Sequence, residues 1–125
     1  MKSFKKIAQQ ATTLCDLMEG REKIETEDII KKYEVITIAD FVWAEMGANS
    51  CWVYTFLEDR EHFAFAGVSI KSIFDSLLEE YQGDYQALRA AYTDEVLKKN
   101  GDVIQLKLEY GKTKAGQRLT KATVV

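Results

Sequence analysis

Between Val35 and Gly67, β-branched and aromatic side chains recur with a period of two residues in three short runs. This period predicts β-strands, because successive side chains of a strand point to opposite faces of a sheet. We predict three strands joined by a turn at 47–50 and a charged loop at 58–62, with the strands at 35–43, 51–57 and 63–67. The main unit is therefore expected to begin with three consecutive strands.

Elsewhere, apolar residues recur every three or four positions, which predicts amphipathic helices. The predicted helices cover residues 4–19, a short segment capped by Thr26, and two runs capped by Ser69 and Asp84. Thr93 is a further candidate cap, at which the last helix would bend or restart. Two more strands, at 103–110 and 118–125, flank a glycine-containing turn.

This order of elements predicts an α+β protein, which is either a five-stranded antiparallel sheet or an OB-like barrel (β-β-β-α-β-β). The pattern does not distinguish a closed barrel from an open sheet with helices packed on one face. A chain of 125 residues is the size of one domain, so we expect a single unit over 1–125. Within it, residues 1–33 form an N-terminal helical segment and 34–125 form the β-rich part.

Charge is distributed unevenly along the chain. The formal net charge of -3 excludes a uniformly basic, histone-like DNA binder. Residues 1–100 hold 12 basic and 18 acidic side chains, whereas residues 101–125 hold 5 basic and 2 acidic ones. The basic residues of this last part are Lys107, Lys112, Lys114, Arg118 and Lys121. Such a ribbon suits contact with phosphates, although lysines on an edge hairpin also prevent aggregation between strands.

Aromatic side chains are concentrated in the first three predicted strands. Proteins that bind single strands combine basic grooves with rings on which bases stack. On an OB-type barrel, such rings stand on the outer face of the second and third strands. We therefore expect base stacking on Trp52, Tyr54, Phe63 and Phe65. The alternative is that these rings fill the core, in which case Cys51 and Thr55 face outward.

Other groups of polar residues indicate no catalytic centre. The acidic loop at Glu58, Asp59 and Glu61 is followed by His62 but has no nucleophile at a fixed spacing. Asp40 interrupts an apolar strand and is either an outward edge residue or a paired buried acid. The two cysteines are far apart in the chain, and we expect them to be free thiols. We expect no catalytic residues, no metal and no cofactor.

Several segments resemble small proteins that are encoded by phages, prophages and mobile elements of Gram-positive bacteria. The resemblance covers about residues 24–125 and is carried by Thr26–Ile30, Tyr33, Val35–Ile38, Val53–Asp59, Phe63, Phe65–Gly67, Lys107–Glu109, Gly111–Lys114 and Leu119–Lys121. Some of those proteins look like OB-type single-stranded DNA-binding proteins. The resemblance therefore implies a role in phage-type DNA replication or recombination.

The residues and the resemblance together predict a non-catalytic single-stranded DNA-binding protein, with RNA as an alternative ligand. The second hypothesis is a small protein–protein interaction module or phage accessory factor. No apolar run typical of a signal peptide occurs near the N-terminus, so we expect a cytoplasmic protein that does not enter membranes. We also expect self-association, which is frequent among small OB-type binders. The chain has no acidic-tipped tail, which argues against the recruitment of replication partners through such a tail.

Overall fold

A computed structural model describes residues 16–46, 49–112 and 114–125 of the chain. The predicted N-terminal helix over 4–19 lies largely outside the described residues, and its last part, residues 16–18, is helical. Cys15 and residues 47–48 of the predicted turn at 47–50 also lie outside the described residues, whereas residues 49–50 belong to a strand.

The described residues form six strands and three complete helices, and apart from the first strand the element types follow the predicted order. The strands are β1 (Glu22–Lys23), β2 (Ile36–Met46), β3 (Asn49–Phe56), β4 (Asp59–Phe65), β5 (Gln105–Lys112) and β6 (Arg118–Val124). The helices are α1 (Thr26–Lys32), α2 (Val68–Glu80) and α3 (Tyr85–Leu97). Asp84 caps α3 as predicted, because its carboxylate accepts a hydrogen bond from the N–H of Ala87. The predicted caps of the other two helices are wrong, because Thr26 and Ser69 lie within the first turns of α1 and α2, after the cap residues Glu25 and Gly67.

Three other local predictions are wrong. The charged loop at 58–62 is mostly strand, because Asp59 pairs with Phe56 across a tight turn and the pairing outweighs the low strand propensity of charged residues. Residues 22–23 are a strand and not a connector. Helix α3 continues through Thr93, whose hydroxyl donates to the carbonyl of Arg89 one turn earlier instead of capping a new helix.

The sheet is open and mixed, in the order β1-β4-β3-β2-β5-β6. Strand β1 runs parallel to β4, and the other neighbours are antiparallel. The α+β class is thus confirmed, whereas a closed barrel does not form and the expected sheet of five strands has a sixth. At the β6 edge of the described sheet, the main chain of Ala122 is bonded by a side chain and not by another strand. The hydroxyl of Ser69, at the start of α2, accepts from Ala122 N–H at 3.0 Å and donates to the carbonyl of Ala122 at 3.3 Å.

Helices α2 and α3 cover one side of the sheet, which we call the inner face. The main core lies there, where Phe74 of α2 stacks on Phe41 of β2 with ring centroids 4.7 Å apart. Trp52 and Tyr54 of β3 surround the same ring at 5.5 and 6.2 Å. The Trp52 indole N–H donates to Asp75 on α2 at 2.8 Å, so burial leaves this polar group with a partner.

A smaller apolar cluster occupies the opposite side, or outer face. Val42, Val53 and Phe63 are buried there beneath Leu17, which is itself only 4% exposed. Leu17 lies in the helical residues 16–18, and the chain after them forms β1, which pairs with β4. Both faces of the central strands are therefore covered by apolar contacts, as expected for a sheet packed on two sides.

Two buried tyrosines on the inner face give a test of this packing. Among the described residues, Tyr54 has a fully buried hydroxyl with no hydrogen-bond partner, whereas the Tyr92 hydroxyl donates to Ile38 and accepts from Ile104 N–H. We expect Tyr54→Phe to raise the free energy of unfolding by about 1 kcal/mol, because an unpaired polar group is removed. Tyr92→Phe should lower it by about 1–3 kcal/mol. Urea unfolding measures both, and equal destabilisation would contradict this account.

Candidate nucleic-acid interface

The four rings expected to stack bases do not form one exposed surface. Trp52 and Tyr54 are buried on the inner face, and Phe63 is buried on the outer face at 6% exposure. Phe65 shares the outer face and is half-buried, with the Lys23 ammonium 4.7 Å from its ring centroid. The expected exposure is therefore wrong for three of the four rings.

The strand register explains this separation. Val53 lies opposite Phe65 and Tyr54 opposite Ala64, so the rings of β3 and β4 point to opposite faces of the sheet. The rings of β3 face inward because α2 brings Phe74 against them. The rings of β3 thus fill the core, which is the alternative stated above, and Cys51 and Thr55 lie on the outer face.

The five basic residues lie on hairpin β5–β6, and all of them are exposed. The two strands are paired at seven positions, from Leu106 opposite Val124 to Lys112 opposite Arg118. Gly116 in the connecting turn has a φ of +83°, a conformation that side chains other than glycine rarely adopt. In the described sheet, β5 pairs with β2 at Gln105 and Leu106. From there toward the turn, β5 and β6 are paired with each other.

The cations are divided between the two faces of the hairpin. Lys112 and Arg118 lie directly opposite each other on one face. Lys107 and Lys121 lie on the other face, with Glu109 directly opposite Lys121 and two residues from Lys107. Lys114 belongs to the turn. The strongest local concentration of positive charge is therefore at the tip, formed by Lys112, Lys114 and Arg118.

Beside these cations lies an aromatic side chain that was not among the residues predicted to stack bases. The Arg118 guanidinium carbon lies 3.6 Å from the centroid of the Tyr110 ring, and Tyr110 is 38% exposed. Tyr110 lies opposite Thr120, so Arg118 is its diagonal cross-strand neighbour, a position that long side chains reach. Glu27 of α1 lies 3.8 Å from Arg118. The signal in the sequence was an aromatic residue on the same strand face as Lys112.

The acidic loop serves the fold. Both oxygens of Glu58 accept hydrogen bonds from Thr37, one from its N–H at 2.6 Å and one from its hydroxyl at 2.8 Å. Asp59 accepts from the Tyr33 hydroxyl at 2.9 Å and from His62 Nδ1 at 2.8 Å. These carboxylates hold the β3–β4 turn against neighbouring elements through hydrogen bonds.

Of the two alternatives for Asp40, the pairing is observed, but the side chain is half-buried and not fully buried. Arg89 of α3 contacts it with two nitrogens, at 2.9 Å from Nε and 2.6 Å from Nη2. Two parallel hydrogen bonds fix the direction of a guanidinium as well as its distance. This pair, together with the Tyr85 hydroxyl that donates to the carbonyl of Phe41, holds α3 across β2.

Comparisons with protein-family models, with curated proteins and with solved structures found no match to this chain. No helix in the described part of the chain has the length and apolar character needed to span a bilayer.

The contacts of Asp59 predict how stability depends on pH. Burial alone would raise the pKa of Asp59, but hydrogen bonds from His62, Tyr33 and the Glu61 N–H together lower it below the ordinary value of 3.8. A carboxyl with a lowered pKa in the folded state stabilises the fold above its unfolded pKa and loses this effect as pH falls through the folded value. We expect the urea concentration at the unfolding midpoint to decrease as the pH is lowered below about 4.

Asp59→Asn is the matching variant. It should lower the urea midpoint at neutral pH and remove part of the decline in acid, because the amide has no proton to gain in this range. Glu22→Gln, at an exposed residue of β1, is the control. An Asp59→Asn protein with the unchanged acid profile would contradict the assignment.

Proposed function

We propose that this chain is a non-catalytic, single-stranded DNA-binding protein of a phage, prophage or mobile element, acting in DNA replication or recombination in the cytoplasm. The contact surface is the tip of hairpin β5–β6. The observation that carries the proposal is the cluster of exposed cations there, Lys112, Lys114 and Arg118. Phosphate backbones are attracted by such clusters, and surface charges more than about 8 Å away are largely screened at physiological salt. Acidic residues beyond that distance therefore do not prevent binding, whereas Glu27, 3.8 Å from Arg118, opposes it.

The strand order supports this choice of surface. If β2 to β6 are counted as strands one to five, their order in the sheet is third, second, first, fourth, fifth. An OB-type unit is a five-stranded, partly open Greek-key barrel that binds oligonucleotides with the loop between its fourth and fifth strands, among other parts. In this chain that loop is the turn of the basic hairpin. The resemblance of residues 24–125 to phage-type proteins points to the same class of ligand.

The hypothesis of a protein-interaction module is less well supported. A partner strand would most readily add to an exposed sheet edge. At the β6 edge, Ser69 already bonds both main-chain groups of Ala122, the middle of the available strand. This contact blocks strand addition there, so we favour the nucleic-acid ligand.

The test is fluorescence anisotropy of a labelled oligothymidine of about 16 nucleotides, a length that suits one OB-type unit. Binding should weaken steeply between about 50 and about 200 mM salt, because it releases counterions from phosphates. The variant Lys112→Gln/Lys114→Gln/Arg118→Gln should bind with most of the affinity removed. Its salt slope should be smaller by about 0.7 for each phosphate that the protein no longer neutralises.

The matched control is Lys71→Gln/Lys98→Gln/Lys99→Gln, which removes the same charge from exposed positions on α2 and after α3. It should bind nearly as well as the unmodified protein. Equally weakened binding in both variants would show a nonspecific effect of net charge, and no binding by the unmodified protein at low salt would refute the proposal. Duplex DNA of the same length serves as the competitor and should bind more weakly.

A further inference from the structure

We infer that Tyr110 and Arg118 together form the platform on which an unpaired base stacks, an inference that rests on the proposed function. The rings first expected to stack bases are largely buried, so a stacking surface must be found elsewhere. Tyr110 is an exposed aromatic residue on the hairpin that carries the cation cluster. Its position joins the two components that single-strand binders combine, a flat side chain and nearby positive charge.

The geometry of the pair suits a base. The Arg118 guanidinium lies over Tyr110 with its central carbon 3.6 Å from the ring centroid, and the Arg118 side chain is 60% exposed. Guanidinium planes, like aromatic rings, serve as stacking surfaces for unpaired bases. A base laid on the open side of the guanidinium extends the stack to three layers, while the guanidinium also attracts the adjoining phosphate.

The surroundings determine the strength and the class of ligand. Lys112 lies directly across the hairpin from Arg118 and on the same face, so a phosphate next to the stacked base meets a second cation. Glu27, 3.8 Å from Arg118, opposes the approach of a phosphate and competes for the guanidinium. A base that is paired within a duplex has no face available for this stack. The platform therefore selects single strands over duplexes.

The experiment compares two probes of equal length, the oligothymidine and an abasic deoxyribose-phosphate strand that offers phosphates without bases. The unmodified protein should bind oligothymidine more tightly by between about fivefold and about 150-fold, the range expected for one stacked base. Tyr110→Leu should remove this preference and leave abasic binding unchanged. Arg118→Lys keeps the charge but removes the plane, so it should weaken oligothymidine binding selectively.

Two further variants complete the design. Glu27→Gln should strengthen binding to both probes by up to about fivefold, because a carboxylate at the cation cluster is removed. Phe65→Leu changes the ring that is half-buried among the four predicted to stack bases, and this variant should retain the preference for oligothymidine. Urea midpoints establish that each variant is folded; should Tyr110→Leu be unstable, Tyr110→Gln and Arg118→Lys carry the test.

The outcomes separate the two proposals. Tight binding of both probes without any preference for bases, or a preference that survives in Tyr110→Leu and Arg118→Lys, overturns the platform and leaves the single-strand proposal standing. Failure of the unmodified protein to bind either probe overturns both. A preference that disappears in Phe65→Leu and persists in Tyr110→Leu moves the stacking surface to the outer face of β4 and also overturns the platform.

Discussion

The packing of Phe74 against the aromatic side chains of β2 and β3 determines most of what this chain can present to a ligand. Phe41, Trp52 and Tyr54 are all fully buried, and each packs against the Phe74 ring. Truncating a buried phenylalanine to alanine typically costs about 3–5 kcal/mol, a large share of the stability of a domain this size. These rings are thus committed to the core and cannot turn outward to bind bases without disrupting it.

Polar contacts then determine where the hairpin leaves the sheet. Glu58 holds Thr37 through two hydrogen bonds, and Gln105 donates to the hydroxyl of the same threonine at 3.3 Å. Thr37 and Gln105 are partners at the short junction between β2 and β5. The Tyr92 hydroxyl, bonded to Ile38 and Ile104, braces this junction from α3. The hairpin is therefore anchored at its base, while its tip is left exposed.

The combination of an anchored base and an exposed cationic tip is what links the fold to the proposed function. The core uses the large rings, and the net charge of the chain is negative, so recognition of a polyanion has to be local. In the proposed function, Arg118 acts in two ways, as a cation and as a flat surface against Tyr110. Its counter-charge, Glu27, comes from α1 and lies at the edge of the same cluster.

Residue periodicity by itself determined most element types and which side chains share a strand face: Trp52, Tyr54 and Phe56 do lie together, as do Phe63 and Phe65. Residue type and charge identified the Asp84 cap and the basic hairpin. A period of two cannot say which face turns inward when both faces carry enough apolar residues for a core, as β3 does. That choice depended on where α2 places Phe74, a contact between residues distant in sequence. Tertiary structure likewise decided three other features: the sixth strand, the bond of Ser69 to the β6 edge, and the contact between Tyr110 and Arg118. Each brings together residues that are distant in sequence, so no local pattern predicts it.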